Sequence, residues 1–476
     1  MSPNNNALIT HRELLVHLAR LLEKNQVTEG IDRIPLIMRP KKKQNIRCCV
    51  HKDRAVLKYK LMAMLGFDVN DETDELTSLA QYAEWHNLAR NASDKMMTVV
   101  DEACSACVKN NYMVTNMCRG CDARTCMVNC PKKCISFDNG SAVINHDECV
   151  NCGLCMKNCA FHAIVYVPVP CEESCPVSAI QKNEEGIEFI NFNKCIYCGK
   201  CITTCPFGAI VEKTNLPEIF QSLKSEVQTT ALIAPAIAGQ FKATFGQIVD
   251  GLLQLGFDKV VEVAEGAELT IEHEYNELKS RIEQGEPFVT NSCCPAYTKL
   301  INLHLPNLKP YQSSSLTPLQ YTAKLEKETH PNTTTVFIGP CISKRFEAHH
   351  DPNVDFMLSF EELGTTLIAK KIEIAHCKEA NLSTAVSESA RLFPVSGGVS
   401  QALKKRTENT IDLQEEVING IDRESIKALK KFVKNPQDHL FLEVMCCTDG
   451  CVGGCNTIAR PAIAKRQINI LFPSNR

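Results

Sequence analysis

Long apolar runs are missing from this sequence. No stretch approaches the ~18 consecutive apolar residues of a membrane-spanning helix, and the opening residues MSPNNNALITHRELL hold no apolar core of a secretion signal. A cytoplasmic protein without a membrane span is the expectation. An excess of one charge is missing too. The 52 basic and 55 acidic residues leave a formal net charge of −3, which gives no footing for binding nucleic acid or an anionic lipid surface. The one local basic run, Arg39-Pro40-Lys41-Lys42-Lys43, reads as a solvated loop before it reads as a binding patch. No GxGxxG fingerprint follows an apolar strand, so direct use of a nicotinamide cofactor is not expected. The 13 histidines show no metal-binding spacing.

Cysteine is what the chain has in excess, 27 in 476 residues. In a small secreted domain such a count implies disulfides; in a long chain without a secretion signal it implies metal ligands or catalysis. Residues 1–98 hold only Cys48 and Cys49, an adjacent pair whose ligand role stays open. Segments such as His11–Lys24 and Glu75–Leu88 have apolar residues at helical spacing, so this region reads as a small helical module. Residues 99–212 hold 17 of the cysteines and little continuous apolar patterning; bound clusters must supply much of the folding free energy there. Residues 213–225 read as a linker. From 226 to 476, strand-like TTALIA, DKVVEVA, TTTVFIG and DFMLSF alternate with helix-like segments such as FGQIVDGLLQL, an α/β pattern. The remaining cysteines fall at strand ends and loops, where α/β folds place their chemistry.

The most specific signal is Cys195-x2-Cys198-x2-Cys201-x3-Cys205-Pro206, the spacing of a bacterial ferredoxin run. Cys149, Cys152, Cys155 and Cys159 repeat it. Cys118, Cys121, Cys126 and Cys130, before Pro131, form a variant with a longer middle gap. Two looser pairs remain, Cys104-x2-Cys107 and Cys171-x3-Cys175-Pro176. Together these thiolates suffice for four [4Fe–4S] cubanes, with Cys134 left over. In two-cluster ferredoxins the fourth cysteine of a run ligates the other cluster. That crossing groups Cys118, Cys121 and Cys126 with Cys159; Cys149, Cys152 and Cys155 with Cys130; Cys195, Cys198 and Cys201 with Cys175; and Cys104, Cys107, Cys171 and Cys205 together. A relay of three cubanes, with the loose pairs partly structural, stays open. Zinc prefers paired CxxC knuckles and suits tandem ferredoxin runs poorly. Cubanes in series carry electrons without naming a destination.

Three segments of the C-terminal half supply one: Asn291-Ser292-Cys293-Cys294-Pro295-Ala296-Tyr297, Gly339-Pro340-Cys341-Ile342-Ser343-Lys344, and Glu443-Val444-Met445-Cys446-Cys447-Thr448-Asp449-Gly450-Cys451. Four cysteines drawn from three distant loops can ligate one buried cluster, and glycines beside them let backbone approach it. These segments resemble the three signature motifs of [FeFe]-hydrogenases, in that family's order, with the resemblance running over roughly residues 100–476. It implies a two-lobed α/β catalytic domain over 226–476, preceded by a ferredoxin-like α+β iron–sulfur domain. The implied reaction is 2H⁺ + 2e⁻ ⇌ H2 at an H-cluster, a [4Fe–4S] unit joined to a diiron subsite carrying CO, cyanide and azadithiolate.

By the same resemblance Cys294, Cys341, Cys447 and Cys451 hold the H-cluster, with Cys451 bridging to the diiron subsite. Lys344 bonds one cyanide and the Ala234-Pro235-Ala236 loop lines the other. Pro340, Phe393 and Met445 pack around the diiron site. Cys293, Glu274, Ser313 and Glu277 match the proton route, and a thiol, two carboxyls and a hydroxyl can each donate and accept in turn. The chain departs from the family at Gly339 (usually methionine), Leu319 (glutamine), Tyr297 (tryptophan), Cys446 (alanine), Asp449 (glycine) and Cys455. An external electron carrier, ferredoxin by default, and hydrogenase maturation proteins are the implied partners. A slow sensory homologue and a non-catalytic electron-transfer or assembly protein are the competing readings.

Overall fold

The computed structural model describes residues 5–42, 45–88, 94–104, 107–108, 111–382, 386–408, 410–437 and 439–471. Lys43 of the basic run and both chain ends lie outside them. Among the described residues no helix is long and apolar enough to cross a membrane.

The N-terminal region is helical. Helix α1 (Asn6–Glu23) starts at Asn5, whose side chain accepts from the Leu8 N–H at 2.8 Å, satisfying one of the donors that a helix start leaves open. Its Leu14, Leu15, Leu18 and Leu22 are buried, the stripe expected of an amphipathic helix. Helix α2 (Val50–Met64) buries Val56, Leu57, Leu61 and Met62, and a third helix covers Leu79–Leu88. The apolar residues of this region run without a break into the core of the C-terminal half. Arg12 of α1 also pairs with the buried Glu361 at 2.7 Å.

The cysteine-rich region is two ferredoxin-like units, one nested in the other. In the inner unit Tyr112–Val114 pairs antiparallel with Ile164–Tyr166 and encloses the hairpin Ile135–Asp138/Ser141–Ile144. In the outer unit Met97–Val99 pairs with Ile210–Glu212 and encloses the hairpin Ile180–Lys182/Glu188–Ile190. The inner unit interrupts the outer one between Cys107 and Cys171. Joined across it, the two loose cysteine pairs make one split ferredoxin run, Cys104-x2-Cys107 and Cys171-x3-Cys175-Pro176. Residues 213–225, expected as a linker, carry the helix Leu216–Ser222, whose Leu216, Ile219 and Phe220 are buried.

Two parallel sheets build the rest. The first contains β1 (Thr229–Ile233), β2 (Lys259–Glu262), β4 (Thr334–Gly339) and β5 (Phe356–Ser359) in the order β2-β1-β4-β5. The second contains β3 (Phe288–Thr290), β6 (Gln414–Asn419) and β7 (Leu440–Met445) in the order β3-β7-β6. Strands β1 and β7 are buried along their whole length, as expected of parallel strands covered on both faces. Arg345, which by sequence alone would be surface charge, is buried. It pairs with Glu212 of the outer ferredoxin-like unit and with Glu362 at 2.8 Å, joining that unit to the first sheet.

Candidate active site and electron relay

The loops that leave the C-terminal ends of β1, β3, β4 and β7 meet at one cavity. Ala234, Pro235 and Ala236 follow β1; Cys293 and Cys294 follow β3; Pro340, Cys341 and Lys344 follow β4; Met445, Cys447 and Cys451 end or follow β7. Phe393 completes the wall, held before helix α6 (Gly398–Thr407). Every H-cluster ligand and cofactor-lining residue expected from sequence therefore lines this cavity. Among the described residues no three His, Cys, Asp or Glu side chains close tightly enough to grip a single metal ion; the thiols ring a cavity instead.

Backbone geometry makes the ring. Cys294 stands directly before helix α4 (Pro295–His304), with Pro295 at its first turn, and Cys341 directly before helix α5 (Ile342–His350). A helix N-terminus favours a thiolate. Gly450 has φ +85°, and a Cβ there would meet the Pro394 carbonyl oxygen at 2.5 Å; only glycine lets this turn carry Cys447 and Cys451 back to the cavity. Burial raises all four thiols above their ordinary value, and their mutual proximity adds to it, while the Lys344 ammonium opposes it at Cys294, Cys341 and Cys451. Four buried thiols among apolar walls, with one ammonium facing them, fit an anionic iron–sulfur centre. The metal supplies the positive charge that ionises the thiols.

Several residues of this site carry no sequence signal. Lys344 is held by Glu347 at 2.6 Å, and Glu347 accepts from Thr317 at 3.1 Å. Asn291 accepts from the Val444 N–H at 2.8 Å and donates to its carbonyl at 3.3 Å, pinning β3 to β7; the same amide donates to Cys293 Sγ at 3.2 Å. The buried Glu443 accepts from Gly397 and Ser400 N–H groups at 2.7 and 2.8 Å and so fixes the loop behind Phe393.

The departures from the family also have places. A side chain at Gly339 would meet the Phe337 ring at 2.4 Å, and that ring lines the cavity, so Phe337 occupies the space the missing methionine leaves. Leu319 lines the same wall. Tyr297 is fully buried and accepts from Thr290 Oγ1 at 2.8 Å. Asp449 has φ +67°, and its N–H donates to Asn419 at 2.6 Å; aspartate is among the few side chains that tolerate that backbone. The two extra thiols sit where relay and cavity meet. Cys446 donates to Cys198, a bond that takes the Cys198 thiol down to about 7. A side chain at Gly199 would meet Cys455 Sγ at 2.6 Å.

The proton-carrying candidates divide into a connected and an unconnected part. Glu274 and Glu277 share helix α3 (Ala264–Glu283). Ser313 Oγ donates to Glu277 Oε2 at 2.7 Å, and Glu277 also takes Arg281 at 2.6 Å and the Ser314 N–H at 3.0 Å. Burial works against its charge, but these bonds hold its carboxyl below the ordinary range. Glu274 is 1% exposed, and its Oε2 has no hydrogen-bond partner. Burial lifts its carboxyl to about 8. It is a charge neighbour of Cys293, whose thiol burial raises well above its ordinary value.

In the relay, thiol neighbourhoods follow the crossed grouping. Cys171 neighbours Cys205, Cys107 and Cys104; Cys201 neighbours Cys198, Cys195 and Cys175; Cys126 neighbours Cys159 and Cys121. Cys118 accepts from the Ala142 N–H at 3.4 Å, in the same unit. Cys149, Cys152 and Cys155 share a cavity with Cys130, but also with Cys134, whose Sγ is 3.5 Å from that of Cys130. Ala163, Ala179 and Ala209 each donate an N–H to the sulfur four residues earlier, Cys159, Cys175 and Cys205, at 3.2–3.4 Å. Cys134 holds the equivalent place after Cys130.

Residues 227–455 match the family "Iron only hydrogenase large subunit, C-terminal domain", and residues 164–216 match an LdpA Fe–S cluster-binding domain. Iron hydrogenase 1 of Clostridium pasteurianum is 27% identical over 300 residues, 51% of this chain and 52% of that one. The periplasmic [Fe] hydrogenase large subunit of Nitratidesulfovibrio vulgaris is 26% identical over 52% of this chain and 73% of its own. Ferredoxin-1 of Caulobacter vibrioides is 40% identical over 53 residues, 11% of this chain and 47% of that one. A solved variant of the [FeFe]-hydrogenase HydA1 from Chlamydomonas reinhardtii superposes at TM-score 0.44 with 21% identity, covering 53% of this chain and 88% of that one. The chain spans about half the length of the first of these relatives. Motifs, cavity and family match agree: the chain belongs to the [FeFe]-hydrogenase family, with a ferredoxin-like iron–sulfur region ahead of the hydrogenase domain.

Proposed function

We propose that the chain interconverts protons, electrons and H2 at an H-cluster held by Cys294, Cys341, Cys447 and Cys451. The observation that carries this reading is the single cavity ringed by those thiols, Lys344, Cys293 and the Ala234–Ala236 loop. When bound, the H-cluster supplies the metal–hydrogen chemistry.

The protein's own groups then have separable tasks. Lys344, fixed by Glu347, offers its remaining donors to an anionic ligand of the cluster. Pro340, Phe337, Phe393 and Met445 exclude water from the pocket. Cys293 exchanges a proton with the bound cofactor, and Glu274, Ser313 and Glu277 carry it between Cys293 and the surface. Glu274 suits this because burial brings its carboxyl near neutral pH, where it can take and release a proton. The relay thiolates of residues 99–212 hold [4Fe–4S] cubanes, four by the grouping above, that take electrons from an external carrier such as ferredoxin. Residues 1–98 form a capping module and residues 226–476 the catalytic domain. Maturation proteins would install the diiron subsite in a cytoplasmic setting.

An infrared spectrum of the anaerobic protein, co-expressed with hydrogenase maturases, tests this reading. Carbonyl and cyanide bands that move under H2 are expected. Fully loaded cubanes without such bands would overturn it and leave an electron-transfer protein. Bands that move with almost no turnover would favour the sensory reading, consistent with the altered wall at Phe337 and Leu319.

A further inference from the structure

Lys60 is the residue of the N-terminal module for which nothing above gives a use. It lies on α2 and is 3% exposed. Its ammonium reaches the turn that follows Cys205: a Cβ on Gly208 would stand 3.0 Å from Lys60 Nζ and 3.0 Å from the Ala7 methyl of α1. The same turn wraps the Cys205 sulfur, since Gly208 N–H donates to the Cys205 carbonyl at 3.2 Å and Ala209 N–H to its Sγ at 3.4 Å. Arg47 adds a bond to the Phe207 carbonyl at 3.4 Å, and Thr214 bonds the end of α2 at the Met64 carbonyl, 2.7 Å away. The module thus closes over the Cys205 turn with α1, α2 and the segment before α2.

The charges are laid out unevenly. On the module side Arg47 and Arg39 add positive charge around Lys60, and the negative charge it faces is the Cys205 sulfur. On the far side Glu188 faces Cys104, Cys107 and Cys171 and is matched by Lys182 at 2.7 Å. A buried ammonium without a carboxylate is costly unless an anion lies close. A cubane with four thiolates is such an anion, and it gains one more negative charge on reduction. A nearby fixed cation therefore favours the reduced form.

We propose that Lys60 is an electrostatic positioning residue of the relay, holding the cubane of Cys104, Cys107, Cys171 and Cys205 at a higher reduction potential than an uncharged wall would. The helical module is then a working part of the electron path, sealing that cubane from water and supplying its counter-charge. The inference rests on the four-cubane reading above. Each cubane takes one electron from the external carrier and passes one on, so the step balances without a further reactant.

An EPR-monitored redox titration of the full-length, cluster-loaded protein tests this, with wild type beside Lys60→Met, Lys60→Gln and Lys60→Arg. In the Met and Gln variants one cubane is expected to lose about tenfold in its reduction equilibrium, ~59 mV toward negative potential for one electron. The other cubanes should be unmoved, and Arg should restore the wild-type curve. Identical titrations in Met, Gln and wild type would overturn the role of Lys60. Cys171→Ser separates the two layers: its iron and sulfide content should fall by one cubane, and unchanged content would remove the fourth cubane itself.

Discussion

Replacing Glu274 by glutamine separates the cost of burying that carboxyl from its use in catalysis. Burial alone raises the group from an ordinary 4.5 to about 8. Between those values the folded protein keeps a proton that the unfolded chain has lost, so stability falls as pH rises through the interval. At ~1.4 kcal/mol per unit the ionised form costs on the order of 4 kcal/mol above the folded value, an upper bound given the effective dielectric of real interiors. Glutamine has nearly the same shape and no titration. Thermal midpoints at a fixed scan rate, measured anaerobically on the loaded protein across that interval, should converge at the acid end. At the alkaline end E274Q should be the more stable protein. Parallel curves would refute the buried-carboxyl reasoning. In the same preparations H2 evolution should drop by about 10²–10⁴-fold, the range of a lost acid–base relay group, with the infrared bands kept. Unimpaired turnover would remove Glu274 from the proton route.

Other perturbations read other parts of the site. Arg281→Gln frees one oxygen of Glu277, so its carboxyl should rise and the acid limb of the pH–rate profile should move to higher pH. Asn291→Ala breaks the clamp between β3 and β7 and the contact to Cys293. A loss of about 1–3 kcal/mol in stability is expected, seen as a lower thermal midpoint. Cys446→Ala removes the hydrogen bond to Cys198, and the cubane of Cys195, Cys198 and Cys201 should titrate at a more negative potential by EPR. Cys341→Ala removes the one cluster ligand carried by the first sheet, and amide hydrogen exchange should rise in β4 and α5 more than in β7.

Cluster chemistry is legible in sequence because a cubane dictates local spacing, which is why Cys195 to Pro206 and the Cys447–Cys451 pair stand out unaided. The split run is harder, since a whole domain lies between Cys107 and Cys171, and only the pairing of Met97–Val99 with Ile210–Glu212 reunites it. The short strand Phe288–Thr290 and the strand Leu440–Met445 did not stand out, the latter merging with a cysteine motif. The helix Leu216–Ser222 read as a linker because one turn and a half shows too little periodicity. Glu347, Asn291 and Glu443 were silent for another reason. A buried polar residue has meaning only beside its partner, and Val444 lies far along the chain from Asn291. Phe337 filling the space beside Gly339 is likewise a relation two residues apart on one face of a strand, invisible until the strand has a wall to face.

The nesting of one ferredoxin-like unit in the other bears on how such a chain closes. Loop-closure entropy depends on how far apart the ends of the intervening segment are free to wander. The inner unit brings its own ends together, Tyr112 facing Tyr166 in the register of its outer strands with ring centroids 5.3 Å apart. Once it has folded, the path from Cys107 to Cys171 is entropically no longer than a turn, and the outer unit can assemble as if the insertion were absent. Excising residues 111–167 and bridging the gap with a short glycine–serine turn should leave the two outer cubanes loaded, read as iron content and EPR signals. A shortened chain that fails to load them would mean that the inner unit contributes contacts as well as a closed loop.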